Sequence, residues 1–406
     1  MLTIVLLTDL AKSNILKQKY NFLETRANRN RKYYKETHII NQWLKWKEPE
    51  DEKFMLALEI GFTDYVIWNI HIRNQIHPGK LFYCTCKSGL IQLFDIIIGQ
   101  EEKIENMNLQ ICYDGFIGAC VGGNLDIIKI FIAKFTDIEH NHMWDSGLYY
   151  ACQNGHKEII NLMIANGAAD WNNALYGACQ SQHIKLVNLM IANGANDWNR
   201  GLYYACKTGN KEIIELMLVK GANNWNEGLK TACYYGHKEI AELMIVKGAN
   251  NWNDGLTNAC SCGNLEIAEL MIVKGANNWN EGLINACICG NLELVKLMII
   301  KGADDWNNGL LNTLEIAIFD EDLAEANNKS EILELMIAKG ANCWNEALRV
   351  ACLNRHTTNL IKILLATNKP TNIKECLEIA IALDCDFFAG TEKLQILLAH
   401  NSTSAK

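Results

Sequence analysis

Proline is nearly missing, at three residues in 406. So low a count excludes a chain made of turns and irregular loops, and it suits helices. Long apolar runs are missing too: no stretch reaches the roughly 18 uninterrupted apolar residues of a membrane span. Met1 to Leu7 is apolar, but no basic residues precede it and Asp9 follows at once, so it does not read as a secretory leader. There is no excess of positive charge. The formal net charge is −8, which argues against a dedicated nucleic-acid binder. The sequence also lacks HExxH, GxSxG, GxGxxG and a phosphate-binding Gly-Lys-Ser/Thr loop, so it predicts no catalytic residues and no cofactor.

Cysteine, by contrast, is plentiful, with sixteen residues. The chain is far too long for a small disulfide-stapled scaffold. Without a leader, the thiols point to a reducing intracellular compartment and to free cysteines. Apolar residues make up 49% of the chain and charged residues 21%, the balance of an ordered protein.

The organising feature is a repeat, and tryptophan measures it. Trp144, Trp171, Trp198, Trp225, Trp252, Trp279 and Trp306 follow one another at intervals of 27 residues, and Trp344 follows after 38. The surrounding text recurs as well. WNEGLKTACYYGHKEIAELMIVKGANN begins at Trp225, and WNDGLTNACSCGNLEIAELMIVKGANN begins at Trp252.

Each unit predicts two short helices. From Trp225, Asn226 is placed to cap the first helix, with Glu227 in its first turn. Leu229, Ala232 and Cys233 share one face. Gly236 ends that helix, and His237, or Asn in sister units (Asn210, Asn264, Asn291), starts the second. Ile240, Leu243, Met244 and Ile245 form its apolar stripe. Gly248 stops it as a left-handed cap, and Asn250 and Asn251 turn into the next Trp. Helices this short do not persist alone in water, so they must stack and share a continuous core. The small pair Ala232 and Cys233 suits close helix approach, Leu243 and Met244 fill the space between layers, and the Trp rings pack across the seams.

Metal and catalytic readings of the same residues fail on spacing. Cys152, Cys179, Cys206, Cys233, Cys260 and Cys287 fall one per layer, and layers lie about 8–10 Å apart. Zinc needs four ligands at roughly 2.0–2.3 Å. Cys260 with Cys262, and Cys287 with Cys289, point apart on a helix. His156, His183 and His237 alternate with Asn between units, which favours a hydrogen-bonding role over catalysis. Asp320, Glu321 and Asp322 lack the spacing of a calcium loop. No metal is expected.

The flanks depart from the period. Tyr113 to Lys134 is a copy with Tyr in place of Trp, and Leu81 to Ile98 is a looser one. After Trp306 the chain carries an insert of 11 residues, predicted to lengthen a helix or bulge a loop, and Cys376 to Leu398 repeats that variant. Residues 1–80 read as an N-terminal helical cap. Its basic segment holds Lys12, Lys17, Lys19, Arg26, Arg29, Arg31, Lys32 and Lys35, with a contact to phosphates or anionic lipid as the alternative.

The string GHKEIAELMIVKGAN resembles the second half of an ankyrin repeat, and Leu229 to His237 resembles its first half, with Cys where a second Ala is usual. The resemblance spans residues 81–400, about 9–11 units. It implies an all-α, ankyrin-like helical repeat solenoid with short connectors, since these units are shorter than the usual ~33 residues. The near-identical units, the many Asn, Lys and Ile residues and the Trp-Asn connectors resemble the ankyrin families of giant DNA viruses. That likeness implies a place in the host cytoplasm.

The resemblance further implies a protein-protein interaction scaffold or adaptor that binds on the concave face, formed by the first helices. Tyr149, Tyr150, Tyr176, Tyr203, Tyr204, Tyr234 and Tyr235 vary there while the frame stays constant, and Tyr is favoured at interfaces. These are the candidate partner-binding residues, and the eight Trp are structural. The alternative is a self-assembling structural or virion-associated protein. The expected partner is a protein, with nucleic acid disfavoured and self-association open.

Overall fold

A first helix opening on Trp and a second closing on Lys-Gly recur along the chain. The computed structural model describes residues 78–100, 109–134, 141–314, 323–353, 358–367, 370–384 and 395–399. The basic N-terminal segment and the Asp320 to Asp322 triplet lie outside the described residues. The chain divides into two compact units, Met1–Ala195 and Asn196–Lys406.

In the first unit the helix pairs are α1 (Pro78–Lys87) with α2 (Ile91–Gln100), α3 (Leu109–Gly122) with α4 (Leu125–Lys134), α5 (Asn141–Asn154) with α6 (Lys157–Ala165), and α7 (Trp171–Gln180) with α8 (Ile184–Ala192). In the second they are α9 (Trp198–Thr208) with α10 (Lys211–Lys220), α11 (Trp225–Tyr234) with α12 (Lys238–Lys247), α13 (Trp252–Ser261) with α14 (Leu265–Lys274), and α15 (Trp279–Cys289) with α16 (Leu292–Lys301). Then come α17 (Trp306–Leu314) with α18 (Leu323–Lys339), α19 (Trp344–Leu353) with α20 (Thr358–Ala366), and α21 (Ile373–Asp384). No strand occurs among the described residues. The insert after Trp306 goes partly into helix: α18 has 17 residues where α16 has 10.

The core repeats with the sequence. Leu229, Ala232, Cys233, Ile240, Ala241, Met244 and Ala249 are buried, as are their counterparts in neighbouring pairs. Each large side chain so buried contributes roughly 1.5–3 kcal/mol. Leu243 and Ile245, expected in the core, are only half-buried, so Ile240 and Met244 are the large core residues of α12. The site of Met244 is shaped by a glycine. A β-carbon on Gly228 would stand 2.7 Å from Met244 Sδ and 3.5 Å from Cys206 Sγ of the preceding pair. The same bare glycine lies between Met271 and Cys233 at Gly255, and between Met298 and Cys260 at Gly282. The Cys thiols are therefore packing groups. Burial pushes those of Cys152, Cys179, Cys206, Cys233, Cys260 and Cys287 up to about 12, so they stay protonated and unreactive at neutral pH. The described cysteines are free.

Asn226 does not cap its helix. Helix α11 begins at Trp225, so the capping position falls to Asn224. Asn226 Oδ1 instead accepts the backbone N–H groups of Asn250 and Asn251 in the next connector, at 2.8 and 3.2 Å. Asn199 holds Asn223 and Asn224 in the same way, and Asn280 holds Asp304 and Asp305. Asp145 does so for Ala169 and Asp170 in the first unit. Connectors too short to pair as a hairpin thus satisfy their amides through the side chain of the pair before.

His237 occupies the capping position of α12 but makes no cap bond. Its Nε2 lies 3.1 Å from the carbonyl oxygen of Lys207, and His156 Nε2 lies 3.0 Å from that of Val121. Each ring covers a left-handed residue of the preceding pair, Gly209 (φ +72°) or Gly123 (φ +78°). Asn291 serves similarly, donating to the Gly263 carbonyl at 3.0 Å. Gln182 alone among the described residues stands at such a position without being glycine, at φ +60°. A left-handed side chain costs about 1–2 kcal/mol, and glycine's extra freedom in the unfolded chain returns about 0.4–1. Gln182→Gly should therefore stabilise the first unit by about 0.5–1 kcal/mol, read as a raised midpoint in thermal or urea unfolding.

Candidate functional site

First helices carry the residues that differ most between repeats. On α5, the Tyr149 and Tyr150 rings meet edge to face with centroids 4.9 Å apart, and both are half-buried. Gln153 Nε2 donates to Gln180 Oε1 at 2.5 Å, and Gln180 Nε2 donates to the Tyr149 hydroxyl at 3.3 Å. That chain ties α5 to α7 through groups that remain partly wet. Burial, then the neighbouring phenols Tyr113 and Tyr149, hold the Tyr150 hydroxyl above its usual range. Burial, then Cys84 and Tyr150, do the same for Tyr83. Tyr113 donates its hydroxyl to Ser146 Oγ at 3.0 Å. Tyr83 and Tyr113 thus join the phenolic cluster of the first unit. The sequence reading missed them because they lie in the degenerate copies.

Tyr176 does not present a surface: it is 5% exposed. The reason is its neighbour. Gly177 lets α7 close on α5, so that a β-carbon there would stand 2.5 Å from the Tyr149 carbonyl oxygen. The ring beside it sinks with the helix.

In the second unit Tyr203 and Tyr204 repeat the edge-to-face pair at 5.1 Å, half-buried on α9. Tyr234 and Tyr235, at the end of α11, pair at 5.0 Å and are 47% and 40% exposed. Lys207 Nζ lies 5.5 Å from the centroid of the Tyr235 ring, which holds the phenol and places a cation beside it. The paired rings brace one another, with Gln180 beside Tyr149 and Lys207 beside Tyr235.

The tryptophans sit in the frame. Trp144 is 7% exposed and lies edge to face on Phe116 at 5.4 Å. Trp171, Trp198, Trp225, Trp252, Trp279, Trp306 and Trp344 are half-buried first residues of their helices. The Trp225 ring lies beneath Gly248, and its Nε1 donates to the Ala222 carbonyl at 3.3 Å. Among the described residues, no three His, Cys, Asp or Glu are placed to hold a metal. No described helix is long and apolar enough to cross a membrane.

Residues 116–201 and 229–309 each match a family model described as ankyrin repeats (3 copies). No curated protein matches the chain. Among solved structures, the crystal structure of the human ASB11 ankyrin repeat domain is 22% identical, with a TM-score of 0.34, over 46% of this chain and 97% of that one. The described helix pairs, together with the family match, make this an all-α, ankyrin-like repeat solenoid, a non-catalytic scaffold fold.

Proposed function

From an ankyrin-repeat fold as premise, we propose that this chain is a recognition scaffold that binds a protein partner through the tyrosine-bearing first helices. The single observation that carries the reading is the braced Tyr pairs. Tyr149 with Tyr150, Tyr203 with Tyr204, and Tyr234 with Tyr235 stand at variable positions of a constant frame, half-buried or exposed. A tyrosine needed only for the core would be buried, as Tyr176 is, so Tyr176 is left out of the surface. Phenols with a held orientation supply area and a hydrogen bond at low entropic cost. The resemblance to giant-virus ankyrin families supports a setting in an infected cell, where such a scaffold acts as an adaptor or decoy for host proteins.

The test is to express the tagged chain in a eukaryotic cell beside a variant with Tyr150, Tyr204 and Tyr234 replaced by Ser. Co-purifying proteins are identified by mass spectrometry, and the affinity of each is then measured. The expected result is a partner bound at least about tenfold more weakly by the variant, with the helical signal and unfolding midpoint kept. Equal affinity in both chains would refute this placement.

A further inference from the structure

The outer helices of the second unit carry a surface that the core does not require. Val219, Val246, Val273 and Ile300 are 83%, 81%, 81% and 78% exposed. They stand at one position of α10, α12, α14 and α16, so they form a row in step with the repeat. β-Branched residues are poorer than Ala in a helix, and Ala is what the matching position holds in α6, α8 and α18, as Ala165, Ala192 and Ala338. The fold therefore works without the row, and the row is bounded.

Charged rows flank it in a fixed order over α10, α12 and α14. There Glu215, Glu242 and Glu269 stand one turn before the valines, about 6 Å along each helix, whereas α16 has Lys296 at that position. Lys220, Lys247, Lys274 and Lys301 follow the aliphatic residues directly. All seven are exposed, and none forms an ion pair among the described residues. The order acid, aliphatic, base is complementary to its own reverse. A two-fold axis along the stacking direction of the pairs reverses the helices while matching each pair to its own copy. The Glu row of one copy then faces the Lys row of the other, and the aliphatic rows meet between them. An unrelated partner has no reason to share this spacing, whereas a second copy shares it at α10, α12 and α14.

We propose that this chain self-associates through the outer faces of α10, α12 and α14, with a second copy of itself as the occupant. The surface is separate from the tyrosine-bearing first helices, so the two readings stand or fall apart.

Sedimentation of the full chain over a range of concentrations tests it, beside Val246→Ala with Val273→Ala, which preserves the helices. The expected result is a reversible dimer that the double variant weakens by about tenfold or more, with its unfolding midpoint unchanged or raised. A charge pair completes the test: Glu242→Lys with Glu269→Lys in one chain, and Lys247→Glu with Lys274→Glu in another. Each alone should be a monomer, and their mixture a heterodimer. A parent chain that stays monomeric, an alanine variant that associates equally well, or charge variants that fail to pair on mixing would overturn the proposal.

Discussion

Replacing Gly118 by Ala should destabilise the first unit by about 1–3 kcal/mol, although the same change in an open helix stabilises by about 1 kcal/mol. The new methyl group would be driven into the carbonyl oxygen of Tyr83, on α1, and towards that residue's backbone. A backbone oxygen cannot rotate aside, so α1 and α3 must separate, and the packing of Phe82 on Phe131, with centroids 5.9 Å apart, loosens with them. Gly282→Ala is the control. There the new methyl group would meet the Sδ of Met298 at 2.6 Å, the end of a flexible side chain that can turn away. The helix-propensity gain and the small repacking cost should nearly cancel. Urea unfolding, with hydrogen exchange of the α1 amides, separates the two cases. Equal effects from both substitutions would mean that α1 and α3 do not approach this closely.

Met271→Ala should cost about 2–5 kcal/mol, the range for emptying a buried long side chain. Met271 is fully buried, and Gly255 beside it has no side chain to move into the space. Adding Gly255→Ala to Met271→Ala should restore part of the loss, because the new methyl group falls where the sulfur was. The single Gly255→Ala should give no such gain, since a β-carbon there would stand 2.5 Å from Met271 Sδ. A double-mutant cycle reads the coupling directly. Purely additive effects would show that Gly255 and Met271 do not share a site. Stacked repeats need not unfold in one step, so the cycle is best followed by exchange at α13 and α14 as well as by global unfolding.

Sequence alone determined the helix pairs, their direction and most of their core. The reason is that these features are local. Gly248 ends α12 in a left-handed cap at φ +116°, and the buried set Leu229, Ala232 and Cys233 follows from spacings within one helix. The inertness of the repeating Cys could be expected for the same reason: one thiol per layer has no second ligand beside it.

Tertiary structure decided what depends on the neighbouring pair. Asn226 looked like a helix cap because Asn before an acidic first turn is the usual cap pattern, yet its partners lie 24 and 25 residues further on. His237 stands at the start of α12, as the repeat implied, and only the fold shows that its bond reaches back 30 residues. Tyr176 matched Tyr149 and Tyr203 in position, and only the close approach at Gly177 buried it. Leu243 and Ile245 read as core, and only the packing of α12 left them half-exposed. Periodicity within a helix reports which side chains share a face. It does not report how near the next helix comes, and that distance separates a buried phenol from one that reaches solvent.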